Sequence, residues 1–74
     1  MQIEHLVTMA NEIAAFFQGA ANEGEAAASV ANHLRRFWDP RMRRQIIEHH
    51  QRGGAGLSPL ANEAVGLLSD QPPM

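Results

Sequence analysis

Apolar residues recur at intervals of three and four near the start of the chain, at Ile3, Leu6, Val7, Met9, Ala10, Ile13, Ala14, Phe16 and Phe17. That spacing predicts an amphipathic helix over 3–18. On a wheel turning about 100° per residue, the set spreads over roughly half the circumference, more than one neighbour needs. Either this helix packs on two sister helices, or part of its apolar arc docks on another protein.

The period lapses over Gly19-Ala-Ala-Asn-Glu-Gly24, where two Gly and an Asn end the helix. A second helix is expected over 25–38, with Ala27, Val30, Ala31, Leu34, Phe37 and Trp38 in one narrow stripe. Glu23 and Glu25 at its start and Arg35 and Arg36 near its end complement the helix dipole. Asp39-Pro40 then turns the chain. Pro disfavours the α conformation in the residue before it and suits the first position of a new helix, so Asp39 reads as an N-cap. The third helix, 40–51, has a sparse stripe of Met42, Ile46 and Ile47, extended by His49 or His50. It ends before Gly53-Gly54-Ala55-Gly56. Ser58-Pro59 repeats the cap-then-proline arrangement, and a fourth helix should run over 59–69 with Leu60, Ala64, Leu67 and Leu68 inward.

No strand pattern or internal repeat is present. The chain therefore reads as all-α: a small bundle of three to four short helices, with residues 1–70 as one helical domain. The segment 71–74, with Pro72-Pro73, reads as a disordered tail.

Composition limits what holds this bundle together. A chain of 74 residues buries only about 60% of the surface its unfolded form exposes. The 45% hydrophobic content includes 12 Ala, each carrying little area. Cores of this size rarely supply more than about 3–5 kcal/mol, and disulfides, metals or partners commonly add the rest. With no Cys the first of these is closed, and thiolate ligation and thiol nucleophiles go with it; a reducing compartment fits. No stretch approaches the roughly 18 apolar residues of a membrane span. The N-terminus lacks the pattern of a signal peptide. Cytoplasmic location is the expectation, with no membrane contact.

The charge is uneven. Net charge is −2, yet all six basic residues are Arg and lie between 35 and 52, whereas the flanks carry only carboxylates. Without Lys there is no phosphate loop of the Gly-rich, Lys-bearing kind. The Gly53–Gly56 run follows no strand and lacks dinucleotide spacing. Ser29, Ser58 and Ser69 have no companions for nucleophilic chemistry, so catalysis, cofactor binding and metal binding by this chain alone are not expected. His49 and His50 are adjacent and diverge by about 100°; His5 and His33 lie on other helices. The four read as surface and helix-end histidines.

One corner remains chemically dense: Arg35, Arg36, Phe37, Trp38, Arg41, Met42, Arg43 and Arg44 around Asp39-Pro40. Arg, Trp, Phe and Met are enriched in interface cores and hot spots, and Arg suits bidentate pairing with carboxylate or phosphate. These eight are the candidate partner-binding residues; Asp39, Pro40, Ser58 and Pro59 are the structural caps. Phe37 and Trp38 also continue the core stripe, and one can face inward while the other faces a partner. A solvated helix face is the plain alternative. A small helical nucleic-acid-binding or regulatory protein using the same Arg cluster is another, although the acidic balance (pI ≈ 6.0) argues against nucleic acid.

The string His33-Leu-Arg-Arg-Phe-Trp-Asp-Pro-Arg-Met-Arg43, preceded by Met9-Ala-Asn-Glu-Ile-Ala-Ala-Phe-Phe17 and followed by Gly56-Leu-Ser-Pro-Leu60, resembles the delta subunit of soluble NAD-dependent formate dehydrogenases. The likeness runs from about Ile3 to Leu68. It implies a non-catalytic accessory subunit of a bacterial cytoplasmic complex, supporting its assembly or stability. In such complexes the large catalytic subunit oxidises formate at a molybdenum or tungsten bis-guanine-dinucleotide cofactor with iron–sulfur clusters. Other subunits carry FMN and reduce NAD. The partner implied is that large subunit, contacted through the Arg/Trp corner, and a homo-oligomer of the isolated chain stays open. So does a factor that handles the pterin cofactor directly.

Overall fold

Four helices follow one another as α1 (Ile3–Gln18), α2 (Glu23–Phe37), α3 (Pro40–Gln51) and α4 (Pro59–Ser69) in a computed structural model that describes residues 2–19 and 22–69. No strand occurs among the described residues. The expected tail, 71–74, lies outside them. The molecule measures 29 × 29 × 20 Å, and a thickness of 20 Å corresponds to two helix diameters of about 10 Å each. The bundle is therefore two layers deep.

Three of the four helices begin on a side-chain cap. The Asn22 side chain accepts from Glu25 N at 3.2 Å, and the Asp39 carboxylate from Met42 N at 2.9 Å. The Ser58 hydroxyl accepts from Ala61 N at 3.2 Å. Each satisfies one of the donors that a helix leaves open at its start. Asn22 corrects the sequence reading: with that cap in place α2 starts at Glu23, so Gly24 belongs to its first turn rather than to the connection. α1 begins at Gln2 with no side-chain cap.

The core is fine-grained. Leu6, Val30, Leu34, Ile46 and Val65 are its largest fully buried side chains, and much of the remainder is Ala. Ala26, Ala27 and Ala31 of α2 and Ala61 and Ala64 of α4 are all at least 97% buried. Small side chains let two helix backbones approach closely, which replaces area with dense van der Waals contact. α2 and α4 accordingly form the most extensive helix pair, and both α1 and α4 pack against all three other helices. α1 thus has three partners rather than two. Val65, left out of the expected inward set, is fully buried, while Leu67 packs at the edge of the core.

The connection 52–58 is held by side chains from α1 and α3, and a further bond ties α3 to α4. α3 closes with Gly53 N donating to His50 O and Gly54 N to His49 O, a Schellman arrangement. It needs a left-handed residue just past the helix, and Gly53 (φ 115°) and Gly54 (φ 65°) supply that conformation. Across the gap, Asn11 of α1 uses both ends of its amide: Nδ2 donates to Gly56 O at 2.9 Å, and Oδ1 accepts from Ser58 N at 2.8 Å. His49 Nε2 lies 2.7 Å from Ala55 O, and His50 Nδ1 lies 2.7 Å from Asn62 Oδ1 on α4.

Candidate functional site

The α2 to α3 corner is built around Trp38. Its backbone leaves the helix (φ −89°, ψ 139°) while its N–H still donates to Leu34 O, and its indole is 5% exposed. Asp39 and Pro40 then start α3 in the next two residues, both exposed. The turn is closed a second time from α3, where Arg43 Nη1 donates to Arg35 O at 2.6 Å. A cation at the C-terminal end of a helix meets open carbonyls and the negative end of the dipole, so this contact is favourable twice over.

The eight expected docking residues therefore divide. Trp38 points into the core, so its indole is not part of any outer surface, and Phe37 points out at 70% exposure. The helical wheel places Phe37 in the inward stripe. In the fold it is the last residue of α2, and its ring rests on His33 (centroids 4.7 Å) instead of on the core. Met42 is half-buried against the core cluster. Arg35 is half-buried and Arg43 is committed to the corner. Arg36, Arg41 and Arg44 are exposed, and no ion pair engages them among the described residues. Arg41 and Arg44, three apart on α3, share a face. What the corner exposes is the side chains of Arg36, Arg41 and Arg44 and the phenyl ring of Phe37.

A second exposed feature was not singled out in the sequence. Phe16 of α1 is 76% exposed, because it lies at the edge of an apolar arc too wide for the neighbours of α1 to cover. Its ring meets Phe17 edge-on at 5.2 Å, Phe17 meets His33 at 6.2 Å, and His33 meets Phe37. The width of the arc was the available signal.

The histidines do not assemble. His49 and His50 hold the 52–58 connection and α4, His33 sits in the aromatic row, and His5 is exposed on α1. No group of three or more His, Asp or Glu able to hold a metal ion occurs among the described residues. No helix among them is long and apolar enough to cross a membrane.

Residues 5–65 match the family model of the NADH-dependent formate dehydrogenase delta subunit FdsD. The chain belongs to this family. The matched region takes in the whole Phe37–Arg44 corner, all of α2 and α3, and most of α4. As a delta subunit, the chain is a component of a formate dehydrogenase complex and binds its catalytic subunits. No curated protein and no solved structure matches the chain.

Proposed function

We propose that this chain is a non-catalytic accessory subunit that docks on the large catalytic subunit of a cytoplasmic formate dehydrogenase through the outward face of the α2 to α3 corner, and that this docking supports assembly or stability of the complex. The observation that carries the reading is that Arg36, Arg41 and Arg44 are exposed without ion pairs among the described residues, and that Phe37 of the same corner is exposed too. Planar guanidinium groups pair carboxylates bidentately, so the complementary surface is acidic with an apolar centre. In this reading the molybdenum or tungsten bis-guanine-dinucleotide cofactor, iron–sulfur clusters, FMN and NAD all belong to partner subunits. Without Cys, this chain offers no thiolate to ligate a cluster.

The test is co-expression of the tagged chain with the other formate dehydrogenase subunits, followed by size exclusion with light scattering. The wild-type chain should co-elute stoichiometrically with the catalytic subunit. Combined Arg36→Ala, Arg41→Ala and Arg44→Ala should release it while the isolated variant keeps its helical circular dichroism. Undiminished co-elution of that variant removes the corner as the contact. Steeply salt-dependent binding of arbitrary duplex by the wild-type chain would instead favour a nucleic-acid role for the same Arg residues.

A further inference from the structure

Among the described residues Phe16 and Phe37 are the two large hydrophobic side chains left exposed, and they belong to one patch. The ring contacts through Phe17 and His33 run unbroken from α1 to α2. Beside them is an open depression of about 230 Å³ lined by Glu12, Ile13, Phe16, Phe17 and His33. Small-molecule sites run from roughly 300 to 1,000 Å³, so this hollow is sized for one side chain rather than a cofactor.

The charges at its margins differ in sign. Glu12 lies four residues before Phe16 and so on the same strip of α1; Arg36 lies three after His33 and so flanks the row on α2. Both are exposed, and neither has an ion-pair partner among the described residues. The patch is also continuous with the corner, since Phe37 follows Arg36 directly.

We propose that this aromatic row is the anchor of the docking surface, its hollow receiving an apolar side chain of another formate dehydrogenase subunit, carried on a segment that is acidic against Arg36 and basic against Glu12. The inference rests on the docking reading above and extends it to α1. Aromatic anchors set in pockets, ringed by polar groups, are the usual centre of a protein interface. The occupant is assigned to another subunit rather than to a second copy because the chain belongs to a family of formate dehydrogenase subunits and the patch runs into the Arg corner.

The experiment uses the co-expressed complex. Phe16→Ala with Phe37→Ala should reduce the retained chain at least tenfold, with the circular dichroism of the isolated chain unchanged. Glu12→Arg should weaken retention in the same assay. Benzoylphenylalanine in place of Phe16 should photo-crosslink to a formate dehydrogenase subunit, a readout independent of how the double variant folds. Full co-elution of the double variant, while the triple Arg variant is released, overturns the anchor and leaves the corner standing. A wild-type chain that elutes alone removes both. If light scattering shows an isolated dimer that the double variant makes monomeric with co-elution unaffected, the row serves self-association and the proposal fails.

Discussion

Arg43 of α3 donates from its guanidinium to the backbone carbonyl of Arg35 in the last turn of α2, 2.6 Å away. A side chain that looks from the sequence like one more docking cation is therefore a clasp across the turn. Hydrogen bonds involving a charged group contribute about 1.5–3 kcal/mol, and this one is only partly buried, so Arg43→Ala should cost about 1–2 kcal/mol. Arg41→Ala, on the exposed face, should stay within about 0.5 kcal/mol of wild type. Urea unfolding of the two variants side by side checks this; equal midpoints would remove the clasp.

Asp39 gives the same corner its cap. Asp39→Ala should cost about 1 kcal/mol, and Asp39→Asn should recover most of the loss, because Asn accepts the same bond from Met42 N. Thermal melts of the three proteins decide, the rescue being the informative comparison.

Two glycines near His50 should respond with opposite signs. At Gly54 a Cβ would come within 2.5 Å of Asn62 Oδ1, at a backbone φ of 65°. The left-handed conformation alone costs an L-residue about 1–2 kcal/mol, and moving Asn62 breaks its bond to His50. Gly54→Ala should therefore lose about 2 kcal/mol or more. Gly66 lies inside α4, where a Cβ would meet His50 Nε2 at 3.4 Å, an ordinary contact. Gly66→Ala should gain about 0.5–1 kcal/mol from helix propensity. Chemical denaturation reads both, and a loss at Gly66 would show that His50 has no room to give.

Asn11 carries the 56–58 segment on α1. Asn11→Ala leaves Gly56 O and Ser58 N without their partners and should cost about 1–3 kcal/mol. Asn11→Asp keeps the acceptor for Ser58 N but sets a carboxylate oxygen against Gly56 O, so it should rescue only in part. Amide exchange at Ser58 should quicken in the Ala variant and stay slow in the Asp variant.

Neighbouring aromatics should separate core from surface. Trp38→Ala removes a buried indole, and such truncations cost about 3–5 kcal/mol, comparable to the whole stability of a chain this small. Phe37→Ala should leave the melting temperature nearly unchanged. A collapse of both variants would mean that Phe37 is also part of the core.

Local chemistry made most of this architecture readable in the sequence. α1, α3 and α4 have the expected limits, because Pro after a capping residue, and Gly past a periodic run, act within a few positions. The start of α2 differs from the sequence expectation because Asn22, which stands among residues that break the first helix, caps the second. The wheel puts Phe37 in the inward stripe, but at the last position of α2 the cover runs out and the ring faces outward. The bonds of Asn11 reach 45 and 47 residues along the chain, and no pattern local to Asn11 signals such a partner. The same holds for Arg43, whose target is a carbonyl. Of the docking face, the Arg and aromatic content was legible; which side chains turn outward was not.

The pairing of α2 with α4 has a consequence for how the protein is made. α4 is synthesised after the other three helices, yet α2 and α4 form the most extensive helix pair. From the end of α2 to the end of α4 the ribosome adds 32 residues (37 to 69), a few seconds of translation at roughly 5–20 residues per second. During that interval the α2 stripe has not yet met its largest intramolecular partner. Completion of α4 therefore sets the earliest moment at which this four-helix bundle can reach its mature shape.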